Sequence, residues 1–242
     1  MADSVGELVL ELRRIRKDYG ALRPLRIEHL ELRQGQSLAL IGFDAVAAEL
    51  LVNLVTGATV PDEGDVRAFG ESTRAITDGE AWLASLDRFG LLSSRAVLLD
   101  QLTLEQNLAV PFTLDLEAIS ESLHDQIEQL AEDVGLANED LTRPVGGLPP
   151  ATQLRVRLAR AVALTPRILL AEHPTATLPA DDVGPFAADL SRLIARRGLA
   201  SLALTTDRVF ASAVAEQVLT VQPATGELKP QPARSWLWRG RT

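Results

Sequence analysis

The chain opens with two stretches in which apolar and polar residues alternate. Leu8-Val9-Leu10-Glu11-Leu12 alternates weakly and Ile27-Glu28-His29-Leu30-Glu31-Leu32 clearly, so both read as strands with one wet face. After a turn at Gln34-Gly35-Gln36, Ser37-Leu38-Ala39-Leu40-Ile41-Gly42 is a continuous apolar run that ends in glycine, the pattern of a buried strand. Ala45 to Thr56 holds no Gly or Pro and spaces its apolar residues at helical intervals. The order is strand, tight turn, helix. Thr59 to Gly64 is a Pro/Gly-bearing turn, and Asp65 to Gly70 is another short strand.

From Asp78 to Glu139 the pattern is mostly helical. Within it Leu123, Ile127, Leu130 and Val134 share one face of a helix over Ser120 to Val134. Pro144 to Pro150 interrupts the chain, and Ala151 to Leu164 is helical again. Three further strands are predicted at Arg167–Ala171, Leu199–Leu204 and Glu216–Val221, with a helix over Val183–Arg197 that Gly198 stops. Strands alternating with helices argue for an α/β fold whose core is a mostly parallel sheet covered on both faces. The early alternating strands predict an antiparallel section beside it, and the helical block from Asp78 to Leu164 an inserted lobe.

Composition narrows the function classes. The 242 residues suit one large α/β domain, and their net charge of −9 makes general binding to nucleic acid or an anionic membrane unfavourable. The basic run Arg13-Arg14-Ile15-Arg16-Lys17 reads as a solvated strand edge. Without cysteine there are no disulfides and no thiolate metal sites. Met1 to Ser4 lacks a basic segment leading into an apolar run, so no secretion signal is expected. No stretch is apolar enough to span a membrane, and the expected location is the cytosol. The tail, Ser235-Trp236-Leu237-Trp238-Arg239, is open to three readings: a disordered end, a docking patch or an interfacial anchor.

Six phrases stand in an order that resembles the ATPase subunits of ABC (ATP-binding-cassette) transporters. Lys17-Asp18-Tyr19-Gly20 is similar to the family's aromatic loop, and Leu40-Ile41-Gly42 to the lead into its phosphate loop. Leu54-Val55-Thr56-Gly57 with Pro61 to Val66, Leu102 to Leu108, Arg155 to Ala161, and Ile168 to Thr175 resemble the later framework segments. The resemblance covers about residues 7–228. It implies a P-loop NTPase-type domain with an antiparallel β subdomain, a helical subdomain with the signature region over about 88–158, and a tail from 229 to 242. The phrase Leu170 to Leu178 is similar to the lipoprotein-release, macrolide-export and cell-division subgroup.

The residues at the family's functional positions differ from its motifs. A phosphate loop needs glycines so that backbone amides can wrap the phosphates, a Lys to neutralise them, and a hydroxyl for Mg²⁺. Here the loop reads Gly42-Phe43-Asp44-Ala45-Val46-Ala47-Ala48-Glu49-Leu50. Gly42 matches the first glycine. Ala47 stands at the second, Ala48 at the Lys and Glu49 at the Ser/Thr. Asp44 and Glu49 bring negative charge to where a triphosphate would sit, a penalty on the order of several kcal/mol in a poorly solvated pocket. A carboxylate beside a helix N-terminus has a second reading: Asp44 or Glu49 can cap the helix as a built-in anion.

By the same resemblance Ser94 falls at the Q-loop glutamine, and Leu148-Pro149-Pro150-Ala151-Thr152 at the Leu-Ser-Gly-Gly-Gln signature. Proline lacks an N–H, so Pro149 and Pro150 remove donors a γ-phosphate would need, while suiting the first turn of a helix. Glu172 stands at the Walker B Asp, His173 at the general base, Pro179 at the D-loop Asp and Thr206 at the switch histidine. Tyr19 remains able to stack on an adenine. The expected reading is a catalytically degenerate pseudo-ATPase subunit without bound ATP, Mg²⁺ or other metal, peripheral to the inner face of the cell membrane. It would dock on an ABC permease-like membrane protein through the cleft between sheet core and helical lobe, or pair with itself or an active ABC ATPase paralogue. The alternatives are a free-standing scaffold or regulator, and a weak ATPase using His173 and Glu172. Strands that stay apolar beside an altered site, such as Leu38 to Ile41 and Ile168 to Ala171, indicate a maintained fold.

Overall fold

The computed structural model describes residues 6–231. Its first three strands are β1 (Leu8–Lys17), β2 (Leu25–Arg33) and β3 (Ser37–Ile41), followed by α1 (Ala45–Val55), β4 (Glu63–Ala68), β5 (Glu71–Ser72) and α2 (Gly79–Leu86). Then come β6 (Phe89–Ser93), α3 (Leu104–Ala109), α4 (Glu121–Asp133) and α5 (Pro150–Val162). The last third alternates β7 (Ile168–Glu172), α6 (Ala180–Arg197), β8 (Ala200–Thr205), α7 (Arg208–Val214), β9 (Gln217–Val221) and β10 (Leu228–Pro230). That final strand straddles the expected boundary at residue 228. Trp236 and Trp238 lie outside the described residues.

The strands form two sheets, an antiparallel one in the order β2-β1-β4-β5 and a larger one in the order β10-β9-β3-β8-β7-β6. In the large sheet every pairing but β10 with β9 is parallel. Alternation along its strands splits the interior in two. Leu38, Leu40, Leu170, Leu202 and Leu204 point toward α1 and the small sheet, whereas Ala39, Ile41, Leu169, Ala171 and Ala203 pack with helices α3 to α7. The helix α1 therefore lies between the two sheets. Its Leu51, Val52, Leu54 and Val55 are buried, each contributing about 1.5–3 kcal/mol of transfer free energy. That sum exceeds the ~1 kcal/mol typical of a side-chain cap, so burial rather than capping holds α1 in place.

Two expectations are corrected. The basic run Arg13 to Lys17 is not on a sheet edge: β1 is internal, paired with β2 on one side and β4 on the other. Its charges are matched across and along the strand, Arg16 to Glu63 at 2.9 Å, Lys17 to Asp62 at 2.8 Å and Arg13 to Glu11 at 2.5 Å. A bulge with Arg14 at φ 49° bends the strand there, and a Cβ on Gly64 would lie only 2.3 Å from the Arg14 carbonyl oxygen. The second correction concerns the helical reading of 78–139. Phe89–Ser93 is the outermost strand of the large sheet, in parallel register with β7. Gly90 in its middle obscured the strand pattern. That glycine is required because a Cβ there would sit 2.3 Å from the Ala161 carbonyl oxygen of α5. The inserted lobe thus begins after Ser93.

Local capping accounts for the helices of that lobe. Thr103 and Gln106 form a reciprocal capping box on α3, and Ser120 caps α4. The helix α5 starts on Pro149 and Pro150, as proline's fixed φ favours. Gly198 ends α6 in the left-handed conformation, φ 60°. Among the described residues no helix is long and apolar enough to cross a membrane.

Candidate functional site

In an open parallel sheet, ligands bind beyond the carboxyl ends of the strands. Here the register brings four such ends together: Ile41 opposes Thr205, Glu172 opposes Leu204, and Ser93 opposes Glu172. The residues that follow β3, β6, β7 and β8 therefore share one rim. They are Gly42 to Glu49, Ser94 and Arg95, His173, and Thr206.

The turn after β3 is short. Gly42 has φ 104°, a conformation that requires glycine, and Phe43 is buried against the α1 core. Helix α1 then begins at Ala45, so Ala45, Val46, Ala47, Ala48, Glu49 and Leu50 are helical rather than looped around an anion. The Asp44 side chain caps the helix, Oδ1 accepting from the Ala47 amide at 2.8 Å, and the Ala48 amide donates to the Asp44 carbonyl at 2.9 Å. The cap proposed from the residue pattern is made by Asp44. Glu49 takes the other course.

Glu49 and Glu172 are joined by Arg95. One guanidinium nitrogen lies 2.5 Å from Glu49 Oε1 and the other 2.5 Å from Glu172 Oε2. Glu172 is buried and Arg95 is half-exposed, so the buried carboxylate is neutralised by a side chain entering from the rim. Ser94, the predicted site residue, is itself exposed, and its neighbour Arg95 is the one that reaches inward. No periodicity marks Arg95 in the sequence. The signal that points to it is chemical: Glu49 and Glu172 on one rim need a cation.

The other predicted residues fall into two groups. Tyr19 is half-buried, and burial first and the Asp44 charge second push its phenol pKa upward, which places it beside the turn after β3. His173 stands at φ 42°, a left-handed conformation for a non-glycine residue, with its amide bonded to the Leu204 carbonyl at 2.8 Å and its Nε2 buried without a hydrogen-bond partner among the described residues. Thr206 is exposed after β8. Next to it Asp207 caps α7 through Phe210 and accepts from Thr175 Oγ1 at 3.2 Å. Leu148, Pro149, Pro150, Ala151 and Thr152 lie instead in the helical lobe, at the start of α5, where Leu148 is buried and Gln153 bonds to its carbonyl at 3.1 Å. Pro179 is the N-cap of α6.

These residues do not fit a magnesium nucleoside triphosphate. The first-turn amide of Ala47 is occupied by Asp44, and no lysine or hydroxyl stands at the start of α1. The carboxylates of Glu49 and Glu172 are both engaged by the Arg95 guanidinium.

A second feature lies between β6 and the helical lobe. A groove of about 290 Å³ is walled by Phe89, Leu91, Val110 and Leu164, with Arg157 and Arg160 of α5 on its side. Of these walls Leu91 and Leu164 are exposed apolar residues.

A parallel sheet with a glycine-led turn into a buried helix defines a P-loop NTPase-type α/β domain, joined here to an antiparallel sheet and a helical lobe. A family model described as ABC transporter matches residues 25–176, and the chain belongs to that family. It is similar to the methionine import ATP-binding protein MetN of Rhizobium etli, 27% identical over 90% of this chain and 60% of that protein. To the lipoprotein-releasing system ATP-binding protein LolD of Psychrobacter arcticus it is also 27% identical, over 84% of this chain and 90% of that protein. The chain spans about 60% of the length of the methionine import proteins it matches. Among solved structures, the dimeric bacterial ABC transporter cassette MJ0796 superposes with a TM-score of 0.73 at 22% identity, covering 91% of this chain and 96% of that one. The cbiO1 protein of Clostridium perfringens, part of the ABC transporter complex cbiONQ, superposes at 0.79 and 15% identity, covering 92% and 87%. Both structures share the fold.

Proposed function

We propose that this chain is a non-catalytic ABC cassette, whose role is to bind protein partners rather than to turn over ATP. The observation that carries the reading is the Arg95 bridge between Glu49 and Glu172. A triphosphate brought to this rim meets three carboxylates, those of Asp44, Glu49 and Glu172, and a single guanidinium already committed to two of them. A magnesium ion would have to displace that guanidinium. Catalysis through His173 is disfavoured by the same geometry, since its Nε2 is buried and its neighbour Glu172 is held by Arg95. A general base acts only where it reaches its proton.

The partner in this reading is an ABC permease-like membrane protein, engaged through the groove between β6 and the helical lobe, or a second cassette. The apolar residues around that groove support a docking role. The chain would then work at the cytoplasmic face of a membrane without entering it. A free-standing regulator with the same fold is the second reading, and association with a membrane protein separates the two.

Isothermal calorimetry of the purified chain with ATP, with and without Mg²⁺, is the direct test. The expected result is no binding heat at millimolar nucleotide. Saturable, Mg²⁺-dependent binding that Arg95→Ala strengthens or leaves intact overturns the proposal.

A further inference from the structure

The small sheet has one face packed on α1 and another that carries charge. Directly opposite residues of an antiparallel pair share a face, so Glu11 lies beside Glu31 of β2 and Arg67 of β4, and Arg13 beside His29 and Asp65. Leu10, Leu12, Leu30 and Leu32 occupy the other, buried face. Two acids set opposite one another across a strand pair repel. Glu11 is only 5% exposed, although it stands on the charged face. Its Oε1 is buried and accepts no hydrogen bond among the described residues. Arg13 Nη2 comes within 2.5 Å of that oxygen, but off the direction a hydrogen bond needs, and the Arg13 side chain is mostly exposed. A buried carboxylate served in this way favours a cation that it can ligate directly.

Next to it, His29 Nε2 and Glu31 Oε1 stand 3.4 Å apart. Two ligands held at about 2.0–2.2 Å by a tetrahedral zinc ion are separated by roughly the same distance. One ligand atom from each of Glu11, His29 and Glu31 lies within 4.8 Å of the other two, so small side-chain rotations close the set. Arg33 holds Glu31 Oε2 at 3.0 Å, which leaves Oε1 turned to the imidazole. Partners of this kind orient a metal ligand. Each carboxylate carries one negative charge, and a divalent ion cancels the pair. Arg13 has a second acid to turn to, since Asp65 is its cross-strand neighbour on β4. Nitrogen in the ligand set selects a transition cation over Mg²⁺ or Ca²⁺, which prefer oxygen alone.

We propose that Glu11, His29 and Glu31 form a binding site for one divalent transition cation such as Zn²⁺, which fastens β1 to β2 on the charged face of the small sheet. Binding turns Arg13 from Glu11 toward Asp65. The lack of cysteine excludes thiolate sites only, and this set needs no thiolate. None of the three residues belongs to the rim beyond β3, β6, β7 and β8. The metal-free expectation drawn from the rim therefore does not extend to this face, and the site does not depend on whether nucleotide binds.

The test uses the full chain, first stripped of metal with a chelator. Calorimetry with Zn²⁺ should show one saturable site with a Kd below about 0.1 mM, and millimolar Mg²⁺ should not displace the ion. His29→Gln, at an exposed position, should raise that Kd at least about tenfold, equivalent to about 1.4 kcal/mol, and Glu11→Gln should do the same. Arg13→Gln should tighten binding, because the competing guanidinium is gone. His124→Gln is the control. His124 turns Nδ1 to Glu105 and Nε2 to Glu128, so no single ion reaches both acids through its ring, and the substitution should leave Zn²⁺ binding unchanged. Imidazole ¹⁵N NMR signals of the 3 histidines locate the ion, and Zn²⁺ should shift that of His29 alone. No saturable binding, binding unaffected by His29→Gln, binding lost in His124→Gln, or displacement by Mg²⁺ overturns the inference.

Discussion

Arg95 and Glu172 are 77 positions apart in sequence, yet their contact decides the character of the rim. Glu49 lies in the first turns of α1 and Glu172 is buried at the end of β7. Side by side, they would repel, and the guanidinium between them removes that repulsion. Arg95→Ala should therefore lower stability by about 1–3 kcal/mol, less than the loss of a fully buried pair because Arg95 is half-exposed. Adding Glu172→Gln to that variant should recover most of the loss, since the amide needs no counter-charge. Urea denaturation of the single and double variants checks this, and an unchanged midpoint for Arg95→Ala would show that the bridge contributes nothing. At this scale the sequence was informative about what stands at each position and silent about who meets whom. Asp44 as a cap was legible because an acid before a helix start is a local pattern. The Arg95 bridge is a through-space contact among three elements, and neither spacing nor composition encodes it.

At the scale of elements, the helical lobe is joined by polar contacts as well as by its core. His124 of α4 lies 2.6 Å from Glu105 of α3, and its hydrogen bond to that carboxylate, with the Glu105, Glu128 and Asp125 charges adding to it, raises the imidazole pKa above 6.5 despite an opposing desolvation. A pKa raised on folding means that the protonated form favours the native state. The stabilisation is then fully present below about pH 6.5 and is lost as pH rises through the raised native value. Stability measured from pH 5 to 8.5 should fall over that window in the parent chain, and His124→Gln should flatten the fall; an identical profile in the variant would refute the assignment. The elements themselves were largely legible. Apolar runs identified β3, β7 and β8, because a strand buried on both faces admits few polar residues. The strand β6 was hidden by Gly90, whose presence answers to the approach of the Ala161 carbonyl and not to any rule of local propensity. The basic run of β1 looked like an edge because its acidic partners, Glu63 and Asp62, lie 47 and 45 positions away, beyond β2, β3 and α1.

For the whole molecule, the fold is that of a transporter cassette, and the question is whether nucleotide still couples to it. A ligand that binds only the native state at a hundred times its Kd adds about 2.7 kcal/mol to stability, which shows as a raised Tm. Millimolar Mg-ATP should leave the Tm of this chain unchanged by differential scanning fluorimetry; an increase that saturates with ATP would indicate a working site. The alternation of apolar residues on the strands, the helical spacing of Ala45 to Thr56 and the order of the framework phrases all determine the architecture from the sequence alone. Each is a local pattern that burial enforces wherever the chain folds. Ala48 and Glu49 in the first turns of α1, and the prolines at 149 and 150, are equally plain in the sequence. Tertiary structure alone decided that Arg95 bridges Glu49 and Glu172 and that β6 forms an edge of the large sheet. Those outcomes depend on distances between residues remote in the chain, and electrostatic energy follows distance in space rather than position along the sequence.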